Sequence, residues 1–167
     1  MDESESSPKW AGAAAFGSIS PPNLLLQMET RILHVEDNPD DVLLIAMAFR
    51  KAAVPAKLEV ATDGQKAIAV LSNGPSSGPP ACVLLDIKLP SLSGLEVLAW
   101  IRQQSSLKRL PVIMLTSSIL ASDINQAYDL GANSYLVKPP DLESLIELAK
   151  TIDHYWLRTN TPPATMA

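Results

Sequence analysis

Five short apolar runs, each separated from the next by a stretch of helical period, set the tightest limit on what this chain can fold into. The runs are Arg31–Val35, Lys57–Ala61, Ala81–Leu85, Val112–Leu115 and Ser134–Val137. They are too short for helices, and the segments between them are too long for hairpin turns. Strands joined in this way must cross over through helices, which gives a parallel sheet covered on both faces. Ala81–Leu85 is apolar without interruption, as expected of a strand buried on both sides.

The helical segments carry their own start and stop signals. Asn38-Pro39-Asp40-Asp41 supplies a capping side chain, a proline for the first turn and acids where the helix dipole favours them. Val42, Ala46 and Phe49 then recur at helical spacing. Asp63-Gly64 opens a helix to about Asn73, which Gly74-Pro75 ends. Gly94–Gln103 carries Leu95, Leu98, Trp100 and Ile101, and Ala121–Leu130 is stopped by Gly131. Asp141–Leu157 forms the last helix. Pro111 stands at the first position of a strand, where proline is tolerated. Residues 1–29, rich in Ser, Ala, Gly and Pro, are expected to be a mobile leader in which Leu24, Leu25, Leu26 and Met28 could form a short docking turn. The folded unit is expected over 30–157, with a flexible tail at 158–167.

Composition removes several classes of function. With 47% apolar and 19% charged residues the chain is a globular one with a real core. A net charge of −5 and the lack of a basic arm argue against a nucleic-acid surface. With only about ten residues after the last helix, no helix-turn-helix effector is expected in this sequence. No stretch approaches the ~18 consecutive apolar residues of a membrane span. Asp2, Glu3 and Glu5 stand where a secretory signal would be basic. The one cysteine, Cys82, lies in an apolar run and reads as a buried reduced thiol. A reducing, cytoplasmic location is therefore expected.

The alternation resembles the flavodoxin-like, doubly wound α/β fold with strand order 2-1-3-4-5, an order taken from that fold and not deduced from the runs themselves. Such sheets bind ligands beyond the C-terminal ends of the strands, where strands one and three part. Strand one ends in Glu36-Asp37 and strand three in Asp86. Two carboxylates 4 Å apart repel by about 4 kcal/mol at an effective dielectric of 20, so a cluster of three calls for a cation. Oxygen donors without His or Cys partners point to Mg²⁺. Glu36 alone would be an ordinary loop or capping acid; the three together favour a metal. Lys138, followed by Pro139, brings an ammonium beside the acids, and Thr116 brings a hydroxyl. Pro139 marks a specific turn, in which a cis peptide is open.

Glu36-Asp37-Asn38, Leu84-Leu85-Asp86 followed by Leu89-Pro90 and Gly94, Thr116-Ser117, and Gly131-Ala132 followed by Tyr135 and Lys138-Pro139 resemble the signature of a response-regulator receiver domain of two-component systems. The resemblance spans about 31–157. Val35–Asp41 is most similar to the small stand-alone regulators that partner bacterial phytochromes. The resemblance implies a signalling switch, not an enzyme beyond its own phosphorylation and dephosphorylation, with a sensor histidine kinase as partner and Asp86 as nucleophile and phosphoacceptor. Asp37 and Asp86 would ligate Mg²⁺ directly, Glu36 through water, and Lys88 through its main-chain carbonyl. Lys138 and Thr116 would hold phosphoryl oxygens, and Tyr135 would turn inward with Thr116. Lys88 departs from the Asn often found there, and its ammonium could reach the acids.

Two other readings compete. An aspartyl phosphatase of the haloacid-dehalogenase type needs a second acid where this chain has Lys88. A constitutive interaction module that has lost phosphorylation is disfavoured by intact Asp86, Thr116 and Lys138. No phosphate-binding Gly-x₄-Gly-Lys-Ser/Thr run occurs. His34 is expected as a packed strand residue, His154 on a polar helix side, and Trp100 at the core margin. On the last helix, Leu142, Ile146 and Ala149 are expected to face the sheet. Leu148, Ile152 and Tyr155 would be left on a flank open to a second copy, making a homodimer.

Overall fold

A computed structural model of the chain describes residues 29–73 and 78–163. The leader with its Leu24–Leu26 turn, except Glu29, and the Gly74-Pro75 helix stop lie outside the described residues, as does the tail beyond residue 163. The described elements are β1 Arg31–Val35, α1 Pro39–Lys51, β2 Lys57–Ala61, α2 Gly64–Asn73, β3 Cys82–Leu85, α3 Gly94–Gln103, β4 Val112–Thr116, α4 Ala121–Asp129, β5 Ser134–Val137 and α5 Leu142–Ile152. The strands form one parallel sheet in the order β2-β1-β3-β4-β5. This is the expected doubly wound topology.

The helix starts obey local chemistry. The Asn38 side chain accepts the Asp40 N–H at 2.9 Å, and the Asp141 side chain accepts the Ser144 N–H at 2.8 Å. Ser93 and Glu96 form a reciprocal capping box at the head of α3. Gly131 takes a φ of +93°, the left-handed turn that ends α4 and that a side chain would strain.

Strand residues alternate between two cores, as a period of two requires. Leu33, Val35, Val83, Leu85, Val112 and Met114 pack with Ala67 and Leu71 of α2, Val97, Leu98 and Ile101 of α3, and Ala127 of α4. Ile32, Leu84, Ile113 and Leu115 pack on the other face with Ile45, Ala48 and Phe49 of α1 and Leu145, Ala149 and Ile152 of α5. Each fully buried Leu, Ile or Val contributes about 1.5–3 kcal/mol relative to its exposed state. No helix among the described residues is long and apolar enough to cross a membrane.

Four expectations are corrected. The buried stripe of α1 is Ile45, Ala48 and Phe49, and Ala46 is exposed. The last helix keeps α geometry only to Ile152 and continues as a π-helical turn over Asp153–Thr159. Ile152 is not on an open flank: α5 packs against α1 as well as the sheet, and Ile152 is buried with Leu145 and Ala149. Leu148 is half-buried, so Tyr155 alone of the three residues expected on that flank is exposed. Finally, no peptide bond among the described residues is cis, that before Pro139 included.

Candidate functional site

The acid cluster is built by strand endings. Parallel pairing carries β1 and β3 to the same height: the Glu36 N–H donates to the Ala61 carbonyl at 3.0 Å, and the Asp86 N–H to the Val35 carbonyl at 3.1 Å. Glu36, Asp37 and Asp86 thereby each offer a carboxylate oxygen within 4.8 Å of the others. Glu36 is 1% exposed and Asp86 8%, whereas Asp37 is open to solvent. The close approach of α3 fixes Asp86 from behind. The Gly94 N–H donates to the Ile87 carbonyl at 2.9 Å, and a Cβ at Gly94 would lie 1.9 Å from the Asp86 carbonyl oxygen. Only glycine fits there.

Lys138 closes the cluster from the far side of the sheet. Its N–H donates to the Thr116 carbonyl at 2.8 Å, which anchors the β5 end beside β4. Its Nζ contacts the Glu36 carboxylate, Asp41 Oδ2 at 2.8 Å and Asp86 Oδ2 at 3.4 Å. Burial alone would lower the Lys138 pKa, but its hydrogen bonds to Asp41 and Glu36 and the Asp86 charge hold it above the ordinary lysine value. Burial pushes the Glu36 carboxyl up, against the pull of Lys138 and of the Asn38 N–H that Glu36 accepts at 3.0 Å. Both shifts are upward, which favours the charged form of Lys138 and the neutral form of Glu36. We take the charged pair as the neutral-pH state, because the Nζ contact is made and Lys138 has three acids around it.

Thr116 is buried at the end of β4, and its Oγ1 accepts the Ser118 N–H at 3.3 Å. The Tyr135 hydroxyl donates to the Ser118 carbonyl at 3.0 Å, so Thr116 and Tyr135 meet through one loop residue. Ser118 in turn donates its hydroxyl to Asp123 of α4. Lys88 is exposed and has no acid among the described residues within 4.0 Å. The expectation that its ammonium enters the cluster is not met. His34 is buried as expected, with no partner for Nδ1 and a pKa lowered to about 4 by burial and by the Lys138 charge. Cys82 is buried, which pushes its thiol up to about 12. Trp100 lies at the core margin and His154 is exposed.

Sequence reading thus brings Glu36, Asp37, Asp86, Thr116 and Lys138 together and misses two residues, Asp41 and Ser118. Asp41 was hidden by the phase assigned to α1. Once Ile45 and Ala48 are known to face the sheet, Asp41 falls on the same stripe by helical spacing and is aimed at the strand ends. Ser118 had no signal beyond its neighbour Thr116.

A buried lysine between three carboxylates at a sheet's switch point is a charge arrangement that a divalent cation and an anion can share. The response regulator receiver domain model matches residues 32–150. The chain belongs to that family. The receiver is 38% identical over 136 residues to response regulator Rcp1 of Synechocystis, covering 80% of this chain and 92% of Rcp1. It is equally identical, 38% over 134 residues, to the probable methanogenesis regulatory protein FilR2 of Methanothrix harundinacea, covering 79% of this chain and 86% of that one. The crystal structure of the phosphorylated cyanobacterial phytochrome response regulator RcpA superposes with a TM-score of 0.74 at 38% identity, over 81% of this chain and 99% of RcpA. The Mn²⁺-bound form of Rcp1 gives 0.71 at 37%, over 81% and 99%.

Proposed function

We propose that this receiver takes a phosphoryl group onto Asp86 from the phosphohistidine of a sensor histidine kinase, with Mg²⁺ in the acid cluster. The observation that carries the reading is the convergence of three carboxylates within 4.8 Å beside the Lys138 ammonium. The donor set fits a hard cation: all three side chains are carboxylates. Asp37 and Asp86 would hold it directly, Glu36 through water, and the Lys88 carbonyl would complete the protein ligands. When bound, the cation neutralises charge on the acids and on the transferring phosphoryl oxygens.

The residues divide the remaining work. Asp86 Oδ1 accepts the Ile87 N–H at 2.7 Å, which leaves Oδ2, on the Lys138 side, as the attacking oxygen. It forms the new P–O bond as the P–N bond of the donor breaks. The electron pair returns to the imidazole, which takes a proton from solvent. Lys138 Nζ and the Thr116 hydroxyl then hold phosphoryl oxygens. A movement of the Thr116 hydroxyl toward the phosphoryl group would pull on the Ser118 N–H that it accepts. The same residue's carbonyl holds Tyr135, so loop and ring change together. Catalysis is confined to the protein's own phosphorylation and dephosphorylation.

The likeness to Rcp1 and RcpA supports a phytochrome-type kinase as the partner, and the FilR2 match marks the same fold in another setting. Exposed Tyr128 and Val137, with Tyr155 beyond α5, support pairing of two copies through the α4–β5–α5 side. Neither nucleic acid nor membrane enters the reading. The folded unit spans about 30–159 between leader and tail, two residues further than expected because the last helical turn runs to Thr159, and lies in the cytoplasm. Intact mass after treatment with acetyl phosphate and Mg²⁺ should show one phosphoryl adduct, absent in Asp86→Asn. An unmodified wild type would favour a constitutive module; an adduct that survives in the variant would move the acceptor elsewhere.

A further inference from the structure

The Lys138 ammonium has three donors and three carboxylate partners, and the longest of the three contacts, 3.4 Å, is the one to Asp86. Glu36 and Asp41 hold it instead. These two holders differ in their access to water. The Glu36 side chain is 1% exposed, and the Asp41 side chain is 31% exposed. A buried carboxylate that loses its cation is left with its full desolvation penalty, while a partly hydrated one is taken up by water. Asp41 also borders a cavity of about 360 Å³ shared with Leu44, Ser117, Pro139 and Pro140, from which water can reach it.

We infer that Asp41 is a positioning residue for Lys138: it draws the ammonium aside in the resting state and is the partner Lys138 releases when a phosphoryl group arrives on Asp86. The inference rests on the reading of Asp86 as phosphoacceptor. It has two consequences of opposite sign. While Asp41 engages Lys138, less of the ammonium's charge falls on Asp86, one of the acids that a cation needs. The Asp41 charge also competes with, and repels, a phosphoryl anion. Asp41 therefore favours the metal and disfavours the phosphoryl group.

The test is calorimetric titration of the full chain, first with Mg²⁺ alone and then with beryllofluoride, a phosphoryl mimic, at saturating Mg²⁺. Removing one partly screened charge beside the site changes an ionic equilibrium by about threefold to tenfold. Asp41→Asn should weaken Mg²⁺ by that factor and tighten beryllofluoride by a similar one. Asp41→Glu, which keeps the carboxylate, should stay within about twofold of wild type in both. Asp40→Asn removes the neighbouring acid of the same helix turn, which is exposed and does not touch Lys138, and should move neither constant. A general loss of structure would weaken both ligands together. Shifts of the same sign in Asp41→Asn, no shift, or an equal effect from Asp40→Asn would overturn the inference. If wild type binds neither ligand, the phosphoacceptor reading itself fails.

Discussion

The two ends of the sheet carry the same kind of ion pair in opposite surroundings. At the N-terminal end, Lys57 meets Glu29 at 3.7 Å with side chains 61% and 67% exposed, while Arg31, itself only 12% exposed, meets Glu59 at 2.8 Å across β1 and β2. At the C-terminal end, Lys138 is 8% exposed among three acids. Water and salt reduce an exposed pair to about 0–1 kcal/mol. A buried pair gains more from its Coulomb term and loses about as much to desolvation, so an apolar replacement is often no worse. The Lys57–Glu29 pair can be read as surface. The upper end gives no net stability that Leu and Ile would not give, which supports a chemical reason for keeping it.

The contrast breaks most sharply at Lys138. Lys138→Met should cost about 3–5 kcal/mol, because the acids are left without their cation. Urea denaturation without metal measures the loss, and saturating Mg²⁺ should recover part of it. A loss below about 1 kcal/mol would place the upper end in the same class as the lower. A smaller effect is expected from His34, which lies under the cluster. Burial first, and the Lys138 charge second, lower its pKa to about 4, against the opposing charges of Asp41 and Asp86. The folded protein therefore keeps His34 neutral where the unfolded chain protonates it. Its contribution is complete above pH 6.5 and is lost as pH falls towards 4, in total about 3 kcal/mol. Glu36, shifted up, acts with the opposite sign over acid pH. The comparison to make is therefore wild type against His34→Leu, whose denaturation midpoints should depend less on pH between 6.5 and 4. Least of all should come from the lower end. A double-mutant cycle on Lys57 and Glu29 is expected to give at most about 0.5 kcal/mol, smaller still in high salt. A coupling as large as that of Lys138 would erase the distinction between the ends.

The strands were legible because run length and alternation dictate them, their order came only with the resemblance to the flavodoxin-like fold, and the acid cluster followed because strand ends are fixed by register. Residues on helices were less legible. A helix presents several flanks, and which one is buried depends on its neighbours as well as its own apolar arc. The packing of α1 on α5 turned Ile152 inward, freed Ala46 to solvent and aimed Asp41 at Lys138. The π-helical turn at Asp153–Thr159 had no signal in a periodicity that fits a continuing α-helix equally well. Lys88 shows the same limit at a loop: its backbone position follows from β3, but the direction of a long, solvated side chain does not.

Arg102 of α3 ties together the turn that follows α4. Its guanidinium donates to the Gly131 carbonyl at 2.9 and 2.7 Å, to Asn133 Oδ1 at 2.9 Å and to the Leu110 carbonyl at 2.9 Å. At the other end of α4, Leu120 supplies no side-chain cap. The nearest side-chain tether is Ser118, which answers to Thr116 and Tyr135. In between, α4 buries only Ala127. A rod riveted at one end and tethered at the other to a moving part is a lever with its fulcrum at Gly131. A shift of a few tenths of an ångström in the loop need not be absorbed by the core. Such a shift would meet its least resistance at the end of α4 away from Arg102, where Ile119 and Leu120, 74% and 59% exposed, face solvent.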